Sequence, residues 1–387
     1  MDRRAYLQVP GPTNVPDRIL RTLSMPLINH RGPEFEELLV YCIDGLKRVF
    51  RTTNDVLIFP SSGSGGLESA IVNLLSPGDT IAVVSLGVFS ERMGKIAESY
   101  GVNVIRIEKE WGEAVKAEDV AKVLNEDTDK KIKLVCLPQN ETATGISNDI
   151  EAVGKTMKES GHPALLVVDA VSSLACLPFE MDAWGVDVAV SASQKGFMLP
   201  PGMSMVALNE KAWKLNETAK LPKWYWDYKA VKAKLEEKQM PYTPPTTLLF
   251  GLKEAINMLE EEGLENVWAR HKMLGDSTRN ALKAMGLKIF AENGYESDTI
   301  TAVYLPEGIK YKEIAELLRT KYGLVIGGGL QKIQGKIMRI GHLGSLHELE
   351  IYAILGAIEM GLYELGYKVE LGTAARAVAN TILEIKE

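Results

Sequence analysis

The sequence predicts an α/β protein, with a large domain whose mainly parallel seven-stranded sheet is sandwiched by helices and a smaller C-terminal α+β domain. Three observations predict it. Seven apolar, strand-like runs fall among helical patterns from about residue 33 to 210, the order expected of a parallel sheet with crossover helices. The runs are apolar continuously rather than at alternate positions, so both of their faces should be covered. Beyond about residue 250 the pattern changes to a long helical stretch followed by short strands and helices.

The strand-like runs are, in order, Asp55–Pro60, Thr80–Ser85, Val102–Ile107, Ile132–Pro138, Ala164–Asp169 and Val186–Ser191. A seventh, Met203–Leu208, follows the sixth so closely that an antiparallel placement stays open. The segment Leu221–Pro245 is rich in aromatics and prolines. A helical stretch then runs from about Thr247 to Met285, with a strand at Thr299–Leu305, a helix at Ile309–Lys321, a strand at Lys336–Ile340 and a terminal helix from about Ser345.

In open α/β sheets ligands bind beyond the carboxyl ends of the strands. Here those ends carry, in turn, Ser61-Ser-Gly-Ser-Gly-Gly66, Leu86-Gly-Val-Phe89, Pro138-Gln-Asn-Glu-Thr142, Asp169 and Ser191-Ala-Ser-Gln-Lys195. Taken singly, each has an ordinary structural explanation. The glycine/serine loop is a strand-to-helix turn, Phe89 a core side chain, Asp169 a helix cap and Lys195 a solvated lysine. The combination is more informative. A helix start whose free N–H groups attract phosphate, a stacking ring, a carboxylate for a pyridine nitrogen and a lysine for an aldehyde are what pyridoxal phosphate requires.

Other chemistries fit less well. A dinucleotide fingerprint placed on Gly63 and Gly65 meets Glu68 where a third glycine belongs, and no phosphate-binding P-loop can be placed at Gly154 or Gly335. His342 and His347 lie close together without a third ligand in a recognisable spacing, so no metal site is expected. A net charge of −7 without basic runs speaks against nucleic acid, and no apolar run is long enough for a membrane span. Three cysteines, odd in number and unpaired in spacing, together with a start that lacks a signal-peptide pattern, lead to the expectation of a cytoplasmic protein.

At these residues the chain resembles the class V, fold-type I pyridoxal-phosphate-dependent aminotransferases, in their alanine–glyoxylate, serine–pyruvate and serine–glyoxylate branch. The resemblance runs nearly end to end. It is carried by Pro10-Gly-Pro-Thr-Asn-Val-Pro16, Asn29-His-Arg-Gly-Pro-Glu-Phe35, Gln139-Asn-Glu-Thr-Ala-Thr-Gly145, Val168-Asp-Ala-Val-Ser-Ser173, Ser191-Ala-Ser-Gln-Lys-Gly196 with Pro200-Pro-Gly202, Pro241-Tyr-Thr-Pro-Pro245 and Arg339-Ile-Gly-His-Leu-Gly344. The Ser-Gln-Lys-Gly block is its most specific part.

The resemblance implies a role for each matching position. Lys195 would hold pyridoxal 5'-phosphate as a Schiff base and shuttle the proton. Asp169 would pair with the pyridinium nitrogen, Phe89 would stack on one ring face and Val171 on the other. Ser62, Gly63, Ser64 and Gln194 would hold the phosphate, and Thr142 would reach the ring hydroxyl. Thr243 would complete the phosphate site of a partner subunit, so a homodimer with a shared active site is expected. Arg339 would bind the substrate carboxylate, and Gly11 and Asn29 would line its entrance. Residues 1–25 would form that entrance segment, 26–250 the large cofactor domain, and 251–387 a long connecting helix and the small domain. Phe89 stands where several relatives carry tryptophan and Met240 where some carry tyrosine, with Tyr242 a candidate substitute.

The implied activity is ping-pong transfer of the amino group of a small amino acid, serine or alanine, to glyoxylate or pyruvate through a Lys195 aldimine. Ureidoglycine–glyoxylate or aspartate transamination, and a non-catalytic cofactor-binding or partner subunit, are the alternatives. A cysteine desulfurase fits poorly, because no cysteine follows Cys176.

Overall fold

The computed structural model describes residues 5–385, and it bears out the α/β architecture. Met1–Arg4 and Lys386–Glu387, the ends of the first and last expected segments, lie outside the described residues. In chain order the strands are β1 (Tyr6–Gln8), β2 (Asp55–Phe59), β3 (Thr80–Ser85), β4 (Asn103–Glu108), β5 (Ile132–Pro138), β6 (Asn140–Glu141), β7 (Ile146–Ser147), β8 (Leu165–Asp169), β9 (Val188–Ala192), β10 (Ser204–Leu208), β11 (Ile300–Tyr304), β12 (Leu324–Gly328) and β13 (Ile337–Gly341).

Each of the seven apolar runs becomes a strand of one sheet, in the order β2-β10-β9-β8-β5-β3-β4. Strand β10 alone is antiparallel to its neighbours, β2 and β9, while the other pairs are parallel. The reason lies in the connection. No helix lies between β9 and β10, so the chain folds straight back, whereas a parallel neighbour needs a crossover. The continuous apolar runs have the expected consequence in six of the strands, but β4, at the sheet edge, departs from it, with Asn103, Ile105 and Glu108 exposed and only Ile107 buried. Alternate residues enter two different cores: Val56, Ala82, Val135 and Val168 pack on one face, and Leu57, Val83, Leu134 and Val167 on the other. Pleating turns successive side chains to opposite sides, so burial on both sides demands apolar residues throughout.

The second sheet, β1-β12-β13-β11, belongs to the smaller α+β part and has its own core around Leu274, Met338, Ile340 and Leu355. Two of its features depart from expectation. The N-terminal segment supplies β1, which pairs in parallel with β12. Strand β12 itself went unread, because Leu324–Gly328 ends in glycines that carry no strand signal.

The expected long helix is two helices, Thr246–Glu262 and Leu264–Ala284. Gly263 breaks it with φ 84° and ψ 130°, a conformation open to glycine and strained for other residues. The first helix packs on Asp17–Leu23 and Pro33–Phe50 of the large part, and the second on Thr373–Ile385 and Glu348–Glu364 of the small part. The expected terminal helix is likewise two, Glu348–Glu364 and Thr373–Ile385. Among the described residues no helix is long and apolar enough to cross a membrane.

Candidate active site

Five of the parallel strands converge on one cavity at their carboxyl ends. It is lined by Ser62, Gly63, Ser64, Phe89, Thr142, Asp169, Val171, Gln194 and Lys195, together with Leu67, Arg92, Asn140 and Ser172. Strand β2 leads into Ser62, the N-cap of the helix Gly63–Leu74, whose first N–H groups have no intrahelical acceptor. Strand β8 ends on Asp169, whose Oδ1 accepts the Val171 N–H at 2.9 Å. Burial pushes the Asp169 carboxyl up to about 6, against the pull of that N–H and of the Arg92 and Lys195 charges.

Lys195 follows β9 in a turn closed by a Met198 N–H bond to the Lys195 carbonyl at 2.9 Å. Its Nζ donates to the carbonyl of Pro10. Withdrawal from water brings its ammonium down to about 8; Asp169 opposes the shift, and Arg339 and Arg92 assist it. Gly11 lies against this lysine. With φ 118°, it places the backbone so close that a Cβ would sit 2.6 Å from Lys195 Nζ.

Thr142 and its neighbours form a polar floor. Thr142 Oγ1 donates to Ser172 Oγ at 2.8 Å, and Asn140 Nδ2 reaches Ser172 Oγ at 2.8 Å and Thr299 Oγ1 at 3.0 Å. The buried Oδ1 of Asn140 and Oε1 of Gln194 have no hydrogen-bond partner, so both of these cavity-lining residues keep hydrogen-bonding capacity to spare.

Arg339, on β13, does not line the cavity but stands beside it. Its Nε donates to the Gly328 carbonyl at 2.7 Å and its Nη1 to the Thr142 carbonyl at 2.9 Å. It is 7% exposed, and burial lowers its pKa. Two expected residues are not brought to the cavity of their own chain. Asn29 is exposed and accepts the Arg31 N–H at 3.1 Å. Thr243 is also exposed. Tyr242 stacks between Trp224 and Tyr225, and Met240 is buried in the large core.

A family model described as aminotransferase class V matches residues 5–342. The chain belongs to the class V aminotransferases. It is 41% identical to a serine–glyoxylate aminotransferase of Methylorubrum extorquens, over 98% of this chain and 96% of that one. It is also 41% identical to an L-aspartate–glyoxylate aminotransferase of Paracoccus denitrificans, over 95% and 94%. Among solved structures, the ureidoglycine–glyoxylate aminotransferase of Bacillus subtilis superposes with a TM-score of 0.94 at 27% identity, covering 99% of both chains.

In this class V aminotransferase, sequence reasoning missed four cavity residues. Arg92 is the most consequential. Its guanidinium lies 4.7 Å from the centre of the Phe89 ring and its Nη1 donates to Ser64 Oγ at 3.0 Å. The spacing Phe89-x-x-Arg92 at a helix start puts both side chains on one face, which is the signal that could have found it. Asn140 and Ser172 are neighbours of residues already singled out, and Leu67 lies on the helix Gly63–Leu74.

Proposed function

We propose that this class V aminotransferase uses pyridoxal 5'-phosphate to move the amino group of serine or alanine to glyoxylate or pyruvate, in two half-reactions at one cavity. The observation that carries the reading is the convergence of Lys195, Asp169 and the Ser62–Ser64 helix start in that cavity. Its residues fit the cofactor. The helix start and Ser64 offer donors to a phosphate, and turning the Gln194 amide adds another. Arg92, bonded to Ser64, supplies positive charge at that end. Phe89 and Val171 offer apolar faces, and Asp169 offers a carboxylate for a ring nitrogen.

When bound, pyridoxal phosphate supplies an aldehyde that takes up the amino group and a ring that withdraws electrons. The protein does the rest. Asp169, with its carboxyl at about 6, is ionised at neutral pH and can hold a proton on the pyridine nitrogen. Lys195, brought down to about 8, loses its proton far more readily than an ordinary lysine, so its neutral Nζ can take a proton from the substrate α-carbon and return it elsewhere. Arg339, already fixed by two carbonyls, presents its remaining guanidinium edge to the substrate carboxylate. Gly11, lacking a side chain, lets the backbone pass against Lys195 without displacing it.

Similarity to serine–glyoxylate aminotransferases supports serine as donor and glyoxylate as acceptor. A second reading, aspartate as donor, is favoured by Arg92, a second guanidinium at the cavity, and by the aspartate–glyoxylate relative. Exposed Thr243, which the family pattern gives to a partner's phosphate site, supports a homodimer. Three buried, free cysteines support a cytoplasmic location. The test is to incubate the cofactor-loaded protein with glyoxylate and L-serine, L-alanine or L-aspartate and to measure glycine. Fastest turnover with serine or alanine supports the reading. Fastest turnover with aspartate, lost in Arg92→Gln while that variant keeps its turnover with serine, favours the second.

A further inference from the structure

Glu141 is an acid where none is needed for solubility. It is 0% exposed, and among the described residues no lysine or arginine reaches it within ion-pair distance. Its carboxylate is satisfied by backbone instead. Oε2 accepts the Ser90 N–H at 2.7 Å and the Phe89 N–H at 3.1 Å, and Oε1 accepts the Ala143 N–H at 2.9 Å. Burial raises its pKa while these N–H groups pull it back. Gly87 leaves the space that the side chain fills; a Cβ there would lie 2.2 Å from Glu141 Cδ.

A local serine could cap the helix Ser90–Ser99 without burying a charge. Glu141 does something a local cap would not, because it reaches the helix from a different part of the chain. It belongs to the hairpin β6–β7, which also meets the small domain: Ser147 N–H bonds to the Tyr295 carbonyl, and Ser297 N–H to the Gly145 carbonyl. The next residue, Thr142, holds Arg339 Nη1 on its carbonyl. One short path therefore joins the Phe89 backbone, the Glu141 carboxylate, the Thr142 carbonyl and the Arg339 guanidinium.

We propose that Glu141 is a positioning residue, fixing the Phe89 ring platform relative to Thr142 and Arg339 so that cofactor ring and substrate carboxylate share one frame. The inference rests on the cofactor reading above. Two variants separate position from charge. Glu141→Gln keeps the side-chain shape but turns an amide N–H₂ toward backbone donors. Gly87→Ala keeps the charge and displaces the carboxylate.

The experiment titrates the apoprotein with pyridoxal phosphate and records the circular dichroism of the bound cofactor's visible band, then KM for serine. The expected result is that both variants keep the wild-type far-ultraviolet spectrum, bind the cofactor about tenfold more weakly, show a diminished visible band and raise KM for serine. Unchanged affinity and band in either folded variant would overturn the proposal. Loss of fold in Glu141→Gln would also overturn it, because the residue would then be structural. Failure of the wild-type protein to bind pyridoxal phosphate would overturn the cofactor reading itself, and this inference with it.

Discussion

Lys195 and Asp169 have opposite needs: burial serves the lysine, whereas the Val171 N–H and the Arg92 and Lys195 charges limit its effect on the aspartate. Removal from water disfavours either charge, so the lysine falls to about 8 and the aspartate rises to about 6. The sign of the resulting pH dependence follows. Below about 8 the lysine is mostly ammonium and cannot attack an aldehyde, so capture of pyridoxal phosphate by the apoprotein should quicken as pH rises and level off above about 8. A capture rate flat from about pH 6 to about pH 9 would contradict this. Replacing Lys195 by alanine should lower kcat by roughly a thousandfold or more without unfolding the protein. Near-native turnover in that variant would remove Lys195 from the mechanism. Arg339→Gln should raise KM for amino acid and oxo acid alike by about tenfold or more, since both carry the carboxylate it would hold. Steady-state kinetics with serine and glyoxylate check it; an unchanged KM for both would leave Arg339 a structural arginine.

The elements were legible in the sequence in proportion to how completely tertiary packing dictated their residues. Six strands buried on both faces read plainly, as did the edge strand β4, and the residues at their ends came with them. Residues acting through a helix face or a backbone clamp did not. Arg92 reads as one more charge on the helix Ser90–Ser99, and Glu141 as a polar residue in a turn. Strand β12 was lost in a run of glycines. The break at Gly263 was overlooked because apolar periodicity continues on both sides of it, although each side packs on a different core. Gly263→Ala should therefore cost ~1–3 kcal/mol of stability through strain at its positive φ. Denaturant unfolding measures that; an unchanged midpoint would show that the two helices can join without penalty.

At the scale of the whole molecule the two sheets are tied together at the cavity. Strand β1 pairs within the small sheet, and two residues beyond it Pro10 accepts the Lys195 Nζ hydrogen bond, with Gly11 packed against the same side chain. The hairpin β6–β7 makes a second tie, and Arg339 from the small sheet bonds to Thr142 within it. Sequence alone could place Thr243 in this scheme only through family resemblance, because in its own chain the residue is exposed and away from the cavity. If it serves a partner's site, the protein should run in solution at twice 42.6 kDa. Thr243→Ala should then weaken cofactor binding about tenfold. A fully active monomer would rule the shared site out. The most direct test of the account is to reduce the pyridoxal-phosphate-treated protein with borohydride, with and without prior L-serine, and to map the modified lysine by peptide mass spectrometry. The account predicts a phosphopyridoxyl group on Lys195 alone, greatly diminished when serine is added first. A label on another lysine, or none, would contradict it.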